Sequence, residues 1–124
     1  MIEEYVKEVY SALGPGYSER VYHNAMEVIL RNNSVTYETE RIVPIVFKGH
    51  TIGNLRADII IQRSIILELK SVKSINDSMV SQTRNYMKLL ELDEAYLINF
   101  PPCINSEPEI IHVSRSDCVN ELPL

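Results

Sequence analysis

Apolar positions along the chain change their period twice, and the changes mark out its elements. From Ile2 to Leu13, the residues Ile2, Val6, Val9, Tyr10 and Leu13 recur near the helical repeat of 3.6, which predicts an amphipathic helix. Gly14-Pro15-Gly16 ends it, since proline lacks an amide donor and glycine tolerates turn dihedrals. A second helix is expected from about Ser18 to Arg31, with Val21, Ala25, Val28 and Ile29 as its apolar stripe. Ser18 fits an N-cap, Glu19 sits favourably in the first turn, and Asn32-Asn33 can close the far end. The period then falls to two. Val35, Tyr37, Val43, Ile45 and Phe47 occupy odd positions, predicting a long strand in which Pro44 marks an edge or a bulge.

Lys48-Gly49-His50 reads as a hairpin turn into a strand from Thr51 to about Gln62. Arg63-Ser64 reads as a second tight turn, and Ile65 to Val72 as a third strand. Asn76, Asp77 or Ser78 caps a helix from about Ser78 to Leu92. Ala95 to Phe100 is a short apolar strand stopped by Pro101-Pro102; Glu109 to Val113 fits a last edge strand, and Asn120 to Leu124 a tail. A meander packed against helices, followed by a helical crossover to another strand, makes an α/β fold with a mixed sheet flanked by helices. Without repeats or linkers, residues 1–124 are expected to form one domain.

Composition narrows the function classes. Apolar residues make up 45% and charged residues 23%, ordinary globular usage that excludes a disordered, collagen-like or disulfide-rich chain. No apolar run approaches the roughly twenty residues of a membrane-spanning helix. Met1-Ile2-Glu3-Glu4 is acidic where a signal peptide is basic, so an intracellular, cytoplasmic protein is expected. Cys103 and Cys118 lack the further ligands of a structural zinc site and read as unpaired thiols. His23, His50 and His112 stand singly and read as structural or surface residues. The net charge of −5 hides a pattern: residues 41–90 carry eight bases and three acids, while both flanking segments are acidic. A basic middle suits a site that meets an anion.

The sharpest candidate chemistry is the set Asp58, Glu68 and Lys70. Glu68 and Lys70 lie two apart on a strand and so share a face, while Ile66, Leu67 and Leu69 make that strand internal, where charges need partners. A two-residue loop at Arg63-Ser64 pairs residue i with about 127 − i, setting Asp58 opposite Leu69 and one step from both others. Two converging carboxylates form a hard oxygen site of the kind that holds Mg²⁺, with Mn²⁺ able to substitute, and the cation makes bound water a nucleophile. Lys70 would position that water or take its proton. A buried Asp–Lys–Glu ion network without catalysis accounts for the same residue types.

Arg56-Ala57-Asp58, nine residues, then Glu68-Leu69-Lys70 resembles the core motif of the PD-(D/E)XK nuclease superfamily, with Ala57 in place of the proline. Gly16-Tyr17-Ser18-Glu19-Arg20-Val21-Tyr22 is similar to the GxxExxY signature of one small branch. Gln82-Thr83-Arg84-Asn85-Tyr86 resembles the QxxxY element of RecB-like members. These elements run in family order over about residues 13–100.

The resemblance implies a restriction-endonuclease-like αβββαβ core. It implies Asp58 and Glu68 as metal ligands, Lys70 as the catalytic lysine, and Glu19 as a further carboxylate acting directly or through water. Gln82 and Tyr86 share a helical face and, by resemblance, orient substrate or the site. Arg84 and Lys88 beside them are candidate phosphate contacts, with Lys73 and Arg56 as additions. Glu19 also fits a simple helix N-terminal charge, and Tyr86 also fits plain core. The expected function is metal-dependent hydrolysis of phosphodiester bonds, in DNA first and RNA second, leaving 5′-phosphate and 3′-hydroxyl ends. The alternative is an inactive binding or regulatory subunit on a nuclease fold. So small a domain covers little duplex, which argues for a homodimer or larger complex; no membrane partner is expected.

Overall fold

A computed structural model of the chain describes residues 1–114. Cys118 and the expected tail from Asn120 fall outside those residues, and Cys103 is exposed. Three helices and five strands follow one another: α1 (Ile2–Leu13), α2 (Glu19–Asn32), β1 (Tyr37–Phe47), β2 (His50–Ile61), β3 (Ile65–Lys70), α3 (Asp77–Leu90), β4 (Glu94–Asn99) and β5 (Glu109–Ser114). The strands form one mixed sheet in the order β1-β2-β3-β4-β5. Its pairs are antiparallel except β3 with β4, which run parallel across the α3 crossover. Among the described residues no helix is long and apolar enough to cross a membrane.

The sheet separates two apolar layers. On one side Val6, Val9, Met26 and Leu30 of α1 and α2 pack on Ile59, Ile61, Leu67, Leu69 and Ile98. On the other side Tyr86 and Met87 of α3 pack on Ala57, Ile60, Ile66, Ala95 and Val113. Strand residues of opposite parity mostly face opposite layers, as the pleat requires, but Ala57 shares the parity of Ile59 and Ile61 and faces the other layer. Side-chain capping holds at one helix only: Asn76 Oδ1 accepts from the Met79 amide at 3.0 Å. Ser18 stands at the N-cap of α2 but makes no side-chain bond to it.

The two hairpins differ in a way that matters for the site. Lys48 and Gly49 form a two-residue loop at φ 49° and 81°, the doubly left-handed turn that suits a twisted hairpin. The β2–β3 loop has three residues, Gln62, Arg63 and Ser64, with Gln62 and Arg63 at φ 50° and 57°. The extra residue corrects the expected register by one: Ile61 pairs with Ile65 and Ile59 with Leu67, so Asp58 comes level with Glu68 rather than Leu69.

Tyr22 anchors the start of α2. Its ring is fully buried and stacks on Phe100, with centroids 4.4 Å apart and planes within 5°. Its hydroxyl donates to the Gly14 carbonyl at 2.6 Å and accepts from the Tyr17 amide at 3.3 Å. The hydroxyl thus bridges the Gly14–Tyr17 loop, in which Gly16 takes a φ of 105° that disfavours other residues. Tyr22→Phe should keep the ring packing and lose about 1 kcal/mol of stability in urea denaturation, the usual net worth of such a bond. An unchanged unfolding midpoint would show that the loop holds without it.

Candidate active site

Asp58 and Glu68 meet where the β2–β3 ladder ends. The last backbone pair is Ile59 with Leu67, and beyond it the two strands need other hydrogen-bond partners. The carboxylates provide them: Asp58 Oδ2 accepts from the Leu69 amide at 2.8 Å, and Glu68 Oε1 accepts from the Asp58 amide at 3.3 Å. Each carboxylate is thus held through one oxygen by the other strand. The second oxygen of each accepts no hydrogen bond from the described residues.

A break in alternation aims Asp58. Leu55 and Ala57 pack on the α3 side, yet Ile59 and Ile61, of the same parity, pack on the α1–α2 side. The phase changes at Asp58, opposite Glu40, which holds a left-handed φ of 54° while Thr39 and Arg41 on either side remain paired. Asp58 thereby opens into a cleft of about 250 Å³ lined by Glu19, Arg20 and His23 of α2. Strand irregularities of this kind re-aim side chains beside functional sites. Glu19 is at the solvent-exposed mouth, and Arg20 is paired with Glu40 across the cleft wall. His23, one helical turn after Glu19, is buried with Nε2 3.0 Å from the Glu27 carboxylate.

Electrostatics couple these groups. Burial, and then the charge of Asp58, push the Glu68 carboxyl well above its ordinary range. Burial also raises Asp58, against the opposing pull of the Leu69 amide, His23, Lys70 and Arg20. Glu19 is raised by partial burial and by Asp58. The Lys70 charge favours ionisation of all three acids, but Lys70 makes no ion pair with them. The alternative Asp–Lys–Glu network thus acts through charge at a distance and not through ion pairs.

The segment after Lys70 is pinned from three sides. Its carbonyl accepts from the Phe100 amide at 2.9 Å, and the Ser71 hydroxyl donates to the Tyr17 carbonyl at 3.1 Å, tying β3 to the loop before Glu19. Asn99, fully buried and level with Lys70, bonds both the amide and the carbonyl of Val72 and donates to Glu109.

The QxxxY residues behave differently from one another. Tyr86 is buried, and its hydroxyl donates to the Arg56 carbonyl at 3.0 Å, with the phenol pushed to about 12 by burial and Glu68. Through this bond Tyr86 ties α3 to β2 two residues before Asp58. Gln82 and Lys88 are exposed and Arg84 half-buried on α3, across the sheet from Glu19. Sequence reasoning missed Arg20 and His23 as cleft residues. The spacing of Glu19 and His23 by four was the available signal.

A comparison with curated protein sequences returned no match. The family model of the PD-(D/E)XK nuclease superfamily matches residues 1–113. The chain belongs to that superfamily. Among solved structures, it is similar to an alkaline exonuclease from Laribacter hongkongensis at a TM-score of 0.59 and 8% identity, covering 82% of this chain and 58% of that one. It is also similar to a protein from Eubacterium rectale described as an exonuclease, at 0.53 and 15%, covering 96% and 59%. A third likeness is to SSO0001, at 0.57 and 22%, covering 77% and 48%. The chain thus spans half to three-fifths of these structures, and at such identities the likeness shows the fold. PD-(D/E)XK nucleases act on nucleic acid and generally use divalent metal ions.

The donor set fits such an ion: a buried Glu68 and a half-buried Asp58 of raised proton affinity, each with an oxygen to give, are what a hard cation relieves. Among the described residues, however, no group of three or more His, Cys, Asp or Glu is arranged to hold a metal. Glu19 lies beside Asp58 in the cleft, whose lining does not include the buried Glu68.

The raised Glu68 makes a stability prediction. Folded Glu68 binds its proton more tightly than the unfolded chain does, so metal-free stability should rise as pH falls through the folded value toward the unfolded one. In chelator, the melting temperature should be higher at pH 5 than at pH 7.5, and Glu68→Gln should remove most of the difference. A melting temperature that falls steadily on acidification would contradict the assignment.

Proposed function

We propose that this chain is a divalent-cation-dependent nuclease of the GxxExxY branch that hydrolyses phosphodiester bonds in DNA. One observation carries the reading: Asp58 and Glu68 are cross-held by the amides of each other's strands close to Lys70, and the second oxygen of each accepts no hydrogen bond from the described residues. Asp58 and Glu68 would hold Mg²⁺, or Mn²⁺ in its place, with Glu19 contributing through water. The bound cation supplies Lewis-acid stabilisation of negative charge on the phosphoryl oxygens.

The chain's own residues do the rest. Lys70, on the face of β3 that carries Glu68, would position the attacking water and offset the charge of the scissile phosphate as the ammonium, or take the water's proton as the neutral amine. Arg20 and His23 line the approach, and their positive or neutral character suits an anion entering the cleft. Glu19, whose proton affinity is raised, is placed to exchange a proton with solvent at the mouth. In-line attack would leave 5′-phosphate and 3′-hydroxyl ends. Arg84 and Lys88 would be phosphate contacts for substrate that reaches past β2 to α3, with Gln82 orienting it.

A second reading has one observation in its favour, the lack of a three-ligand cluster among the described residues. It makes the chain an inactive nuclease-fold subunit that binds nucleic acid or a partner protein. The two separate on Lys70→Ala. Because Lys70 makes no ion pair with the acids, its removal should leave the melting temperature nearly unchanged. Hydrolysis of DNA in Mg²⁺ should fall by about 10² or more, the scale of a lost proton-transfer group. Absence of hydrolysis by the wild-type protein in Mg²⁺ and in Mn²⁺ would favour the second reading. Isothermal titration with Mn²⁺ should further show a site that Asp58→Asn abolishes, and undiminished binding would remove Asp58 as a ligand.

A further inference from the structure

Strands β1 and β2 run far beyond the sheet. β3 pairs only with Ile59–Ile61, leaving the paired segments 41–47 and 50–57 as a two-stranded ribbon that leads away from Asp58. The ribbon has two faces. Ala57 and Leu55 pack in the layer beneath α3, and Val43, opposite Leu55, is buried. On the other face the opposed pairs Ile42–Arg56 and Pro44–Asn54 are all exposed. This second face carries Arg56, two residues before the point at Asp58 where the alternation breaks and the carboxylate cleft begins.

Its chemistry is unusual for a bare surface. Ile42, Val46, Phe47 and Ile52 are 59–65% exposed, a concentration of solvated apolar side chains that marks a contact surface. Yet residues 41–57 contain no acid, and they hold Arg41, Lys48, Arg56 and His50 in a chain of net charge −5. At the tip, the Lys48 ammonium lies 5.6 Å from the centre of the Phe47 ring and makes no ion pair with the described residues. Arg41 is engaged with Glu38 at 3.5 Å. Cations alternating with an exposed aromatic are suited to a phosphate backbone and the bases or sugars beside it. From Asp58 to Ile52 the strand covers roughly 20 Å, about six nucleotide steps of helical rise.

We infer that the β1–β2 ribbon, from Arg56 on its exposed face to the solvent-exposed tip at Phe47 and Lys48, is the track along which a nucleic acid strand is led to Asp58. Arg56 meets the phosphate next to the cleft, and Lys48 with Phe47 grips the strand at the far end. The inference rests on the nuclease reading but is tested apart from it.

Binding of fluorescein-labelled DNA of about 30 nucleotides, single-stranded and duplex, is followed by anisotropy in chelator for wild type, Phe47→Ser, Lys48→Glu and Lys48→Ala. Both faces of these substitutions are solvent-exposed, so folding should be unaffected, and circular dichroism checks it. The expected result is a loss of affinity of about tenfold or more for Phe47→Ser and Lys48→Glu, with Lys48→Ala lowering the salt slope by about one. Hydrolysis of bis(p-nitrophenyl) phosphate, too short to reach the tip, should be unchanged in all three. Variants that bind DNA as wild type does, or a wild type that does not bind, overturn the ribbon whatever the hydrolysis shows. Tip-dependent binding without any hydrolysis sustains the ribbon and sinks the nuclease. A wild-type dimer that Phe47→Ser dissociates while DNA binding is unchanged makes the patch a self-association surface and overturns the inference.

Discussion

The site depends on two strands that part company one residue too soon for their own hydrogen bonds. Beyond Ile59 and Leu67 the amides of Asp58 and Leu69 have no ladder carbonyl, and the carboxylates of Glu68 and Asp58 take that place. A buried amide left unpaired costs about as much as a lost hydrogen bond, so the exchange fixes both side chains without a further scaffold. It also concentrates negative charge where water is scarce. Burial raises both acids, the charge of Asp58 raises Glu68 further, and Lys70 nearby offsets only part of this. The fold thus holds an electrostatic deficit that a divalent cation and a phosphate would complete.

Every neighbouring element acts to keep that junction in place. Tyr86 fixes the Arg56 carbonyl from α3, and Tyr22 fixes the loop that delivers Glu19 from α2. Asn99 and Ser71 hold the chain leaving Lys70. Two tyrosines supply these ties. Their rings fill the core and their hydroxyls satisfy backbone carbonyls on opposite sides of the sheet. Tolerance of Tyr86→Phe would therefore be read in the geometry of Asp58 rather than in contact with substrate.

Much of this was legible in the amino-acid order. The period of two in Val43, Ile45 and Phe47, the Gly14-Pro15-Gly16 break and the Ile65–Leu69 run locate the elements within a few residues, because buried faces impose their own repeat. Asp58, Glu68 and Lys70 stood out because charges on an internal strand demand an explanation. What the residues could not give was register. Gln62 adopts a left-handed backbone that nothing in its side chain announces, and this one residue moves Asp58 from opposite Leu69 to level with Glu68. The change of facing at Asp58 was equally hidden, since it arises from the partner strand at Glu40. Arg20 and His23 entered the cleft only once α2 was docked, a tertiary fact that helical periodicity does not contain.

The central claim is that Asp58 and Glu68 form one cation site at the β2–β3 junction. Anomalous diffraction from crystals soaked in Mn²⁺ tests it directly. The account predicts a manganese peak in contact with a carboxylate oxygen of both Asp58 and Glu68, on the side facing Lys70. A peak elsewhere, or none at this junction while other surface carboxylates bind, would contradict it.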